Sequence, residues 1–461
     1  MYLLNLSTQD LKSHGWNPLS YISRDPIFAT AQAQRIASIL YTASGNSNGT
    51  DRFFNEMAQK LFVGLCLYMI ETEKQTNVPT TLAQLVKLTA PASMTLVEWI
   101  NQVCEPSSDI KLSDSCINNL RSYANNSDNT ASGILSSLLA PLSVFTDPIV
   151  SAITSRDDID LRQVRKKKMT IYVGVTPDDL GRFERILNLF FSQLLSENLQ
   201  LLPEQTKHLP DDHPDKLRYQ CLLLLDEFAA MGKMEVIEKG VAFIAGYNMR
   251  LLAIYQNNAQ LAKLYNKEGL RTMVTNFECQ ITYPTKDNED AKEYSDAIGY
   301  ETFKSRSTSR GTGQLVSNST SISDQRRALL LPQEIQNMPT TDCIVRLTGV
   351  PPIYAKKIIY YEDPVFTPRL MDWKAIKVPD LNINGVTPPS TTLTDEETQL
   401  MQQLSDVQIL ILESLSLMIN VTTATDKEIM NFREAVIKGY GATGGKLFDI
   451  YRKKQGRVMS I

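Results

Sequence analysis

CLLLLDEFAAMG, residues 221–232, is an apolar run that stops abruptly at two adjacent carboxylates, Asp226 and Glu227. A continuous run of this kind reads as a strand of a parallel sheet buried on both faces. The carboxyl ends of such strands are where α/β sheets bind ligands, so Asp226 and Glu227 are expected to face a nucleotide. Phosphoryl transfer needs this pairing: one carboxylate holds Mg²⁺, usually through water, and its neighbour orients or deprotonates the attacking water. The order of the two residues gives the first role to Asp226 and the second, catalytic one to Glu227. On this motif alone, an acidic strand end that merely caps the next helix is the alternative.

The following strand ends RLLAIYQNN (Arg250–Asn258), which puts Gln256 at the carboxyl edge of an adjacent strand. RecA-like motors often place a polar amide there to sense the γ-phosphate. A glutamine opening an ordinary loop is the plainer reading.

Working outward, short β-branched runs alternate with helices from Met169 onward, the pattern of a parallel sheet flanked by helices. MTIYVGV is followed by Thr176 as a helix N-cap, Pro177 at the first helical position, and Asp178 and Asp179 at the positive end of the helix dipole. Leu180, Phe183, Leu187, Phe190 and Leu194 then form an apolar stripe. Strands are expected at Cys221–Leu225, Arg250–Tyr255 and Phe277–Tyr283. Cys343–Leu347 and Ile353–Tyr361, with Pro351-Pro352 at their joint, read as an edge hairpin. Lys304–Ser323 (KSRSTSRGTGQLVSNSTSIS) reads as a loop.

Upstream, Tyr2–Leu6 is a short strand, and residues 51–152 show helical spacing, with Phe53, Met57, Leu61 and Leu65 on one face. Downstream, Pro388–Thr394 (PPSTTLT) is a linker to a helical tail that ends YRKKQGR. The expected organisation is a remnant of the motor domain (1–45), an all-helical inserted domain (46–155), the second part of a RecA-like α/β motor domain with a mostly parallel sheet flanked by helices (156–385), and a helical C-terminal extension (386–461).

At 461 residues the chain has room for roughly three domains. Apolar residues at 43% and charged ones at 21% exclude disordered, collagen-like and disulfide-rich classes. A net charge of −4 gives no global drive toward nucleic acid or membrane, so polyanion binding needs a local surface or a ring of subunits. The six cysteines are scattered without a C-x-x-C pair, as expected of buried thiols in a reducing cytosol. The longest apolar run, Leu61–Ile70, falls well short of the roughly 20 residues needed to cross a bilayer, and the start lacks the features of a secretory signal.

LLLLDEFAAMGKMEVIEKGVAFIAGYNMRLLAIYQNNAQL resembles the second half of the motor domain in type IV secretion coupling proteins, the ATPases of conjugative DNA transfer. WNPLSYI (Trp16–Ile22) resembles that family's entry to its helical insertion, and TIYVGVTPDDLGRFERILNLFFSQLL the return from it. RRALLLPQEIQNMP (Arg326–Pro339) and IVRLTGVPPIYAKKIIYYEDP resemble its closing part, so ordered matches run from about Trp16 to Pro364.

The resemblance implies ATP and Mg²⁺ as cofactors and a homo-hexamer with single-stranded DNA in its channel. It further implies a relaxase complex and secretion-channel components as partners, at the cytoplasmic face of the bacterial inner membrane. Arg250 and Arg271 are expected as arginine fingers on a neighbour's nucleotide. The basic run Arg165–Lys168 reads as a solvated turn, and the acidic helix Asp287–Gly299 as a solvated face.

One departure matters. No G-x-x-x-x-G-K-[ST] occurs in the sequence; GYGATGGKLF (Gly439–Phe448) lacks the spacing and has Leu447 in place of the hydroxyl residue. In the family the transmembrane helices and phosphate loop precede the point where this sequence starts. This chain is therefore expected to hydrolyse no ATP alone and to need an N-terminal part that supplies the loop. The alternatives are a non-hydrolysing substrate adaptor, or another hexameric translocase such as those of chromosome segregation or virus packaging.

Overall fold

The computed structural model describes residues 1–41, 49–106, 110–310, 318–371 and 376–383, with isolated positions between 432 and 448. The helical tail expected over 386–461 lies almost wholly outside the described residues, as does the glycine-rich stretch before Phe448.

The chain opens with β1 (Tyr2–Asn5) and then runs through α1 (Pro26–Leu40), α2 (Gly49–Thr76), α3 (Leu82–Leu88), α4 (Leu96–Val103), α5 (Asp114–Ala124), α6 (Asp128–Leu142) and α7 (Pro148–Ile153). Side-chain caps fix many of the helix starts: Asp25, Thr81, Thr95, Ser113 and Asp147 each accept a backbone N–H of the first turn. α2 is the axis of this region. Ten consecutive residues, Leu61–Ile70 (LFVGLCLYMI), are buried or nearly so, because α1, α5 and α6 pack around it. α5 comes so close that a Cβ on Gly64 would meet Leu120 Cδ2 at 2.9 Å.

The chain returns in β2 (Ile171–Gly174), which pairs in parallel with β1, Tyr2 level with Ile171. α8 (Leu180–Asn198) follows a 3-10 turn over Pro177–Asp179, so the helix proper starts one turn later than Thr176 suggests. Next come β3 (Cys221–Leu225), α9 (Glu235–Gly240), β4 (Met249–Ala253) and α10 (Asn258–Thr275). β3 and β4 pair in parallel, Cys221 level with Met249 and Leu225 with Ala253.

β5 (Cys279–Thr282) and α11 (Asn288–Ile298) lead to β6 (Tyr300–Arg310) and β7 (Asn318–Ala328), then α12 (Pro332–Gln336), β8 (Asp342–Leu347) and β9 (Val350–Lys356). β5, β8 and β9 form an antiparallel sheet in that order. β9 is its edge, where Pro351 and Pro352 cost no ladder bond. Lys304–Ser323, read as a loop, is largely an antiparallel hairpin: β6 and β7 pair from Tyr300–Ala328 to Arg310–Asn318.

One buried cluster joins the helical region to the parallel strands. Leu223, Leu225 and Met249 share it with Phe183, Leu187 and Phe190 of α8 and with Leu261 and Tyr265 of α10. The opposite face of the β3–β4 pair is open: Leu222 is 57% exposed, Leu224 55%, Leu252 41% and Ile254 42%. The leucine run is therefore buried on one face only, because α8, α9 and α10 all lie on the other side of it.

Arg165 also departs from its expected place in a solvated turn. It is buried, and its Nη1 donates to the carbonyls of Asn198 (2.6 Å) and Leu201 (2.9 Å) at the end of α8. Burial lowers its pKa. Lys166 keeps the solvated role, paired with Asp215 at 2.8 Å.

Candidate nucleotide site

At the carboxyl end of β3 the backbone turns sharply, and Glu227 adopts a left-handed conformation (φ 52°, ψ 50°). A non-glycine residue there pays on the order of 1–2 kcal/mol, a strain that tends to persist where surrounding contacts impose it. Those contacts are visible. The N–H of Phe228 donates to the carbonyl of Ile254 at 2.9 Å, tying the turn to the end of β4, and the N–H of Ala230 donates to Glu227 O at 2.8 Å.

Below the turn, buried Phe228 stacks on Tyr265 at 5.9 Å. The Tyr265 hydroxyl accepts the N–H of Met234 (3.0 Å) and lies 3.5 Å from the carbonyl of Gly232. Burial pushes that phenol up to about 12. Gly232 closes the turn at φ 69°, and a Cβ there would overlap the Glu184 carboxylate.

The turn presents both carboxylates to solvent. Asp226 Oδ1 accepts the N–H of Glu227 at 3.2 Å. Gln256, just past β4, brings its Nε2 to 3.2 Å and 3.4 Å from the two Glu227 oxygens. The structure thus places Asp226, Glu227 and Gln256 together on one rim. An amide and two carboxylates offer oxygen ligands and one NH₂ group, the set a hard cation and a phosphate group can use. No cluster of three or more metal-ligating side chains occurs among the described residues.

Arg250 and Arg271 are not part of this rim. Arg250 is the second residue of β4, at the end away from the rim, and donates through Nη1 to the carbonyls of Ala245 (2.8 Å) and Met249 (3.3 Å). Arg271 lies more than a dozen residues along α10, exposed.

The rim has a border that sequence reasoning missed. Asn257 caps α10 by accepting the N–H of Gln260 at 2.9 Å. Asn258 donates its N–H to Asp290 (3.3 Å) and its side-chain amide to Glu293 (3.1 Å). The acidic helix α11 is therefore docked beside Gln256, with Asp290 buried, rather than solvated all round. Burial raises the Asp290 pKa, reinforced by Asp287, Glu293 and Glu289.

An acidic strand end beside a polar amide on the neighbouring parallel strand is what the α/β fold of this chain presents at the carboxyl edge of β3 and β4. The chain belongs to the family described as Type IV secretory system Conjugative DNA transfer, whose pattern it matches over residues 2–381.

It is 31% identical to Protein VirD4 of Rhizobium radiobacter over 353 residues, 76% of this chain and 48% of that protein. It is 24% identical to the Conjugal transfer protein TraG of Escherichia coli, over 77% of this chain and 58% of that one. It thus spans about half the length of the curated relatives it matches. Among solved structures, the plasmid coupling protein TrwB in complex with the non-hydrolysable ATP analogue ADPNP superposes with a TM-score of 0.53 at 16% identity, over 79% of this chain and 76% of that one. TrwB in complex with ADP and Mg²⁺ gives a TM-score of 0.50 at 17% identity. Among the described residues no helix is long and apolar enough to cross a membrane.

Proposed function

We propose that this chain is part of the cytoplasmic motor of a coupling protein, a subunit of a homo-hexameric ATPase that docks a relaxase and its single-stranded DNA onto a type IV secretion channel at the inner membrane. In this reading Asp226 holds Mg²⁺ through water, Glu227 orients or deprotonates the attacking water, and Gln256 senses the γ-phosphate while fixing the Glu227 carboxylate. ATP with Mg²⁺ supplies the phosphoryl-transfer energy. Asp226 would hold the metal's water shell, Glu227 the attacking water, and Gln256 the contact to the γ-phosphate. Arg250 and Arg271 lie away from this chain's own rim, so as fingers they would serve a neighbouring subunit.

The observation that carries this reading is the Gln256–Glu227 contact at 3.2 Å, spanning the carboxyl ends of adjacent parallel strands. The specific observation favouring an adaptor is the lack of a G-x-x-x-x-G-K-[ST] motif in the sequence.

DNA-stimulated ATP hydrolysis separates the two readings. The chain is assayed alone and fused at its N-terminus to the phosphate-loop segment of a relative, with Glu227→Gln as the control. Activity in the fusion that drops at least about 100-fold in the control supports the motor, a loss on the scale of removing a general base. A folded but inert fusion supports the adaptor.

A further inference from the structure

The β6–β7 ribbon is exposed along most of its length: every residue from Tyr300 to Lys304 and from Thr320 to Arg327 meets solvent. Side chains alternate between the faces of a strand, and the register sets Tyr300 level with Ala328 and Arg306 level with Ile322. Tyr300, Lys304 and Arg306 of β6 therefore share one face with Ile322, Asp324 and Arg326 of β7. Glu301 and Arg327 lie on the other face, among serines, Gln325 and Phe303.

The charges are divided unevenly between the two faces. Among the described residues the first carries Lys304, Arg306 and Arg326 against a single acid, Asp324. On the second, Glu301 is level with Arg327 and cancels it. Arg327 is also tied to Glu334 of α12 at 2.8 Å. Among the described residues the side chains of Lys304 and Arg306 have no hydrogen-bond or ion-pair partner.

We propose that this basic face is a contact for a single-stranded nucleic acid, with Lys304 and Arg306 on successive phosphates and Arg326 against a base. The inference rests on the motor reading above and adds to it the residues that touch the strand. Three observations select this occupant. Lys304 and Arg306 stand two residues apart on one strand, about 6.7 Å, close to the step between phosphates along an extended nucleic-acid strand. The Arg326 guanidinium lies over the Tyr300 ring, 3.6 Å from its centroid, and such a stacked pair offers a base the platform that single-strand grooves provide. The root of the ribbon is held to the helix that borders the candidate site: the Ser295 hydroxyl of α11 donates to the carbonyl of Leu330 at 2.6 Å, and the N–H of Leu329 to that of Gly299 at 3.0 Å. A strand gripped here therefore pulls on the element docked against Asn258. The chain as a whole is negative, so a polyanion is drawn to this face and not to the surface at large.

The test is fluorescence anisotropy of a 5′-labelled oligothymidylate titrated with the full chain, without nucleotide, over a series of salt concentrations. Each single-strand phosphate contact adds about 0.7 to the slope of log K against log salt concentration. The parent is compared with the double variant Lys304→Gln/Arg306→Gln. Both residues are exposed, so the variant is expected to unfold at the same urea concentration as the parent, which is checked first. The expected result is an affinity at least about tenfold lower at low salt and a slope shallower by about 1.4. Arg306→Gln alone should change the slope by about 0.7, so the outcome does not hang on one variant.

The control, Lys167→Gln/Lys168→Gln, removes the same charge from the densest basic run of the sequence and is expected to bind like the parent. A parent that does not bind overturns the proposal, as does a hairpin variant with the parent's affinity and slope, or a control weakened as much as that variant. Displacement of the oligonucleotide by polyglutamate at equal charge overturns it too, since the face would then seat an acidic protein. Hydrolysis does not enter the measurement. A hairpin variant that loses the strand, beside a phosphate-loop fusion that is inert, leaves the contact standing and sinks the motor reading. An active fusion beside a hairpin variant that still binds does the reverse.

Discussion

Two uninterrupted apolar runs, LFVGLCLYMI in α2 and CLLLL in β3, have opposite fates. The first is wrapped on every side by α1, α5 and α6, so the helical region closes its core within a single chain. The second is wrapped on one side only: Leu223 is 3% exposed and its neighbour Leu224 55%. An apolar run thus reports what a segment is built to bury, and whether the covering layer is present is a separate, tertiary fact. The Leu61–Ile70 stretch of α2 is covered all round, whereas the β3–β4 pair is covered on one face.

The largest expected effect lies in the closed region. Phe62 is fully buried in α2 and meets Tyr41 edge-on at 5.8 Å. Phe62→Ala is expected to cost ~3–5 kcal/mol, from lost transfer energy plus the cavity left behind, read as a fall in the urea midpoint. A loss below ~1 kcal/mol, the centre of ordinary point substitutions, would mean that α2 is not the closed axis described.

The comparison sharpens within a single strand. Leu223→Ala is expected to cost ~2–5 kcal/mol as a buried truncation, whereas Leu224→Ala should stay within ~0.5 kcal/mol as a solvent-facing change. Equal losses at the two positions would show that the open face is covered in solution by the chain itself.

Much of this was legible in the sequence because it is local. The strand ends that carry Asp226, Glu227 and Gln256 follow from where an apolar run stops, and the helical character of residues 51–152 from spacing, whereas α1 (Pro26–Leu40) was not read. What escaped is non-local. KSRSTSRGTG has no apolar alternation to announce a strand, because β6 and β7 are held by pairing with each other more than by burial: Phe303 and Ile322 both remain exposed. Arg165 looked like part of a surface run, since nothing near it in sequence reveals the carbonyls of Asn198 and Leu201 that draw it inward. The border of the site formed by Asn258, Asp290 and Glu293 joins residues more than thirty positions apart, and no spacing rule connects them.

The smallest effect tests how dry the edge of that site is. Asp290 sits in the first turn of α11, where the helix dipole favours its charge, yet it is buried, which disfavours it. The net shift of its pKa is upward, led by burial. A carboxyl whose folded-state pKa is raised binds more protons folded than unfolded, so its contribution to stability is full below the unfolded value of 3.8, falls as pH rises through the folded value, and stays reduced above it.

Asp290→Asn keeps an oxygen for the Asn258 N–H and removes the buried charge. It is therefore expected to match the parent near pH 3, just below that unfolded value. At pH 7 it should be the more stable of the two, in urea titrations at both pH values. A variant less stable than the parent at pH 7 would mean that dipole and hydration outweigh burial. The rim beside Gln256 would then be as wet as the open face it adjoins, and the division between a closed and an open region would run through α11 rather than along β3 and β4.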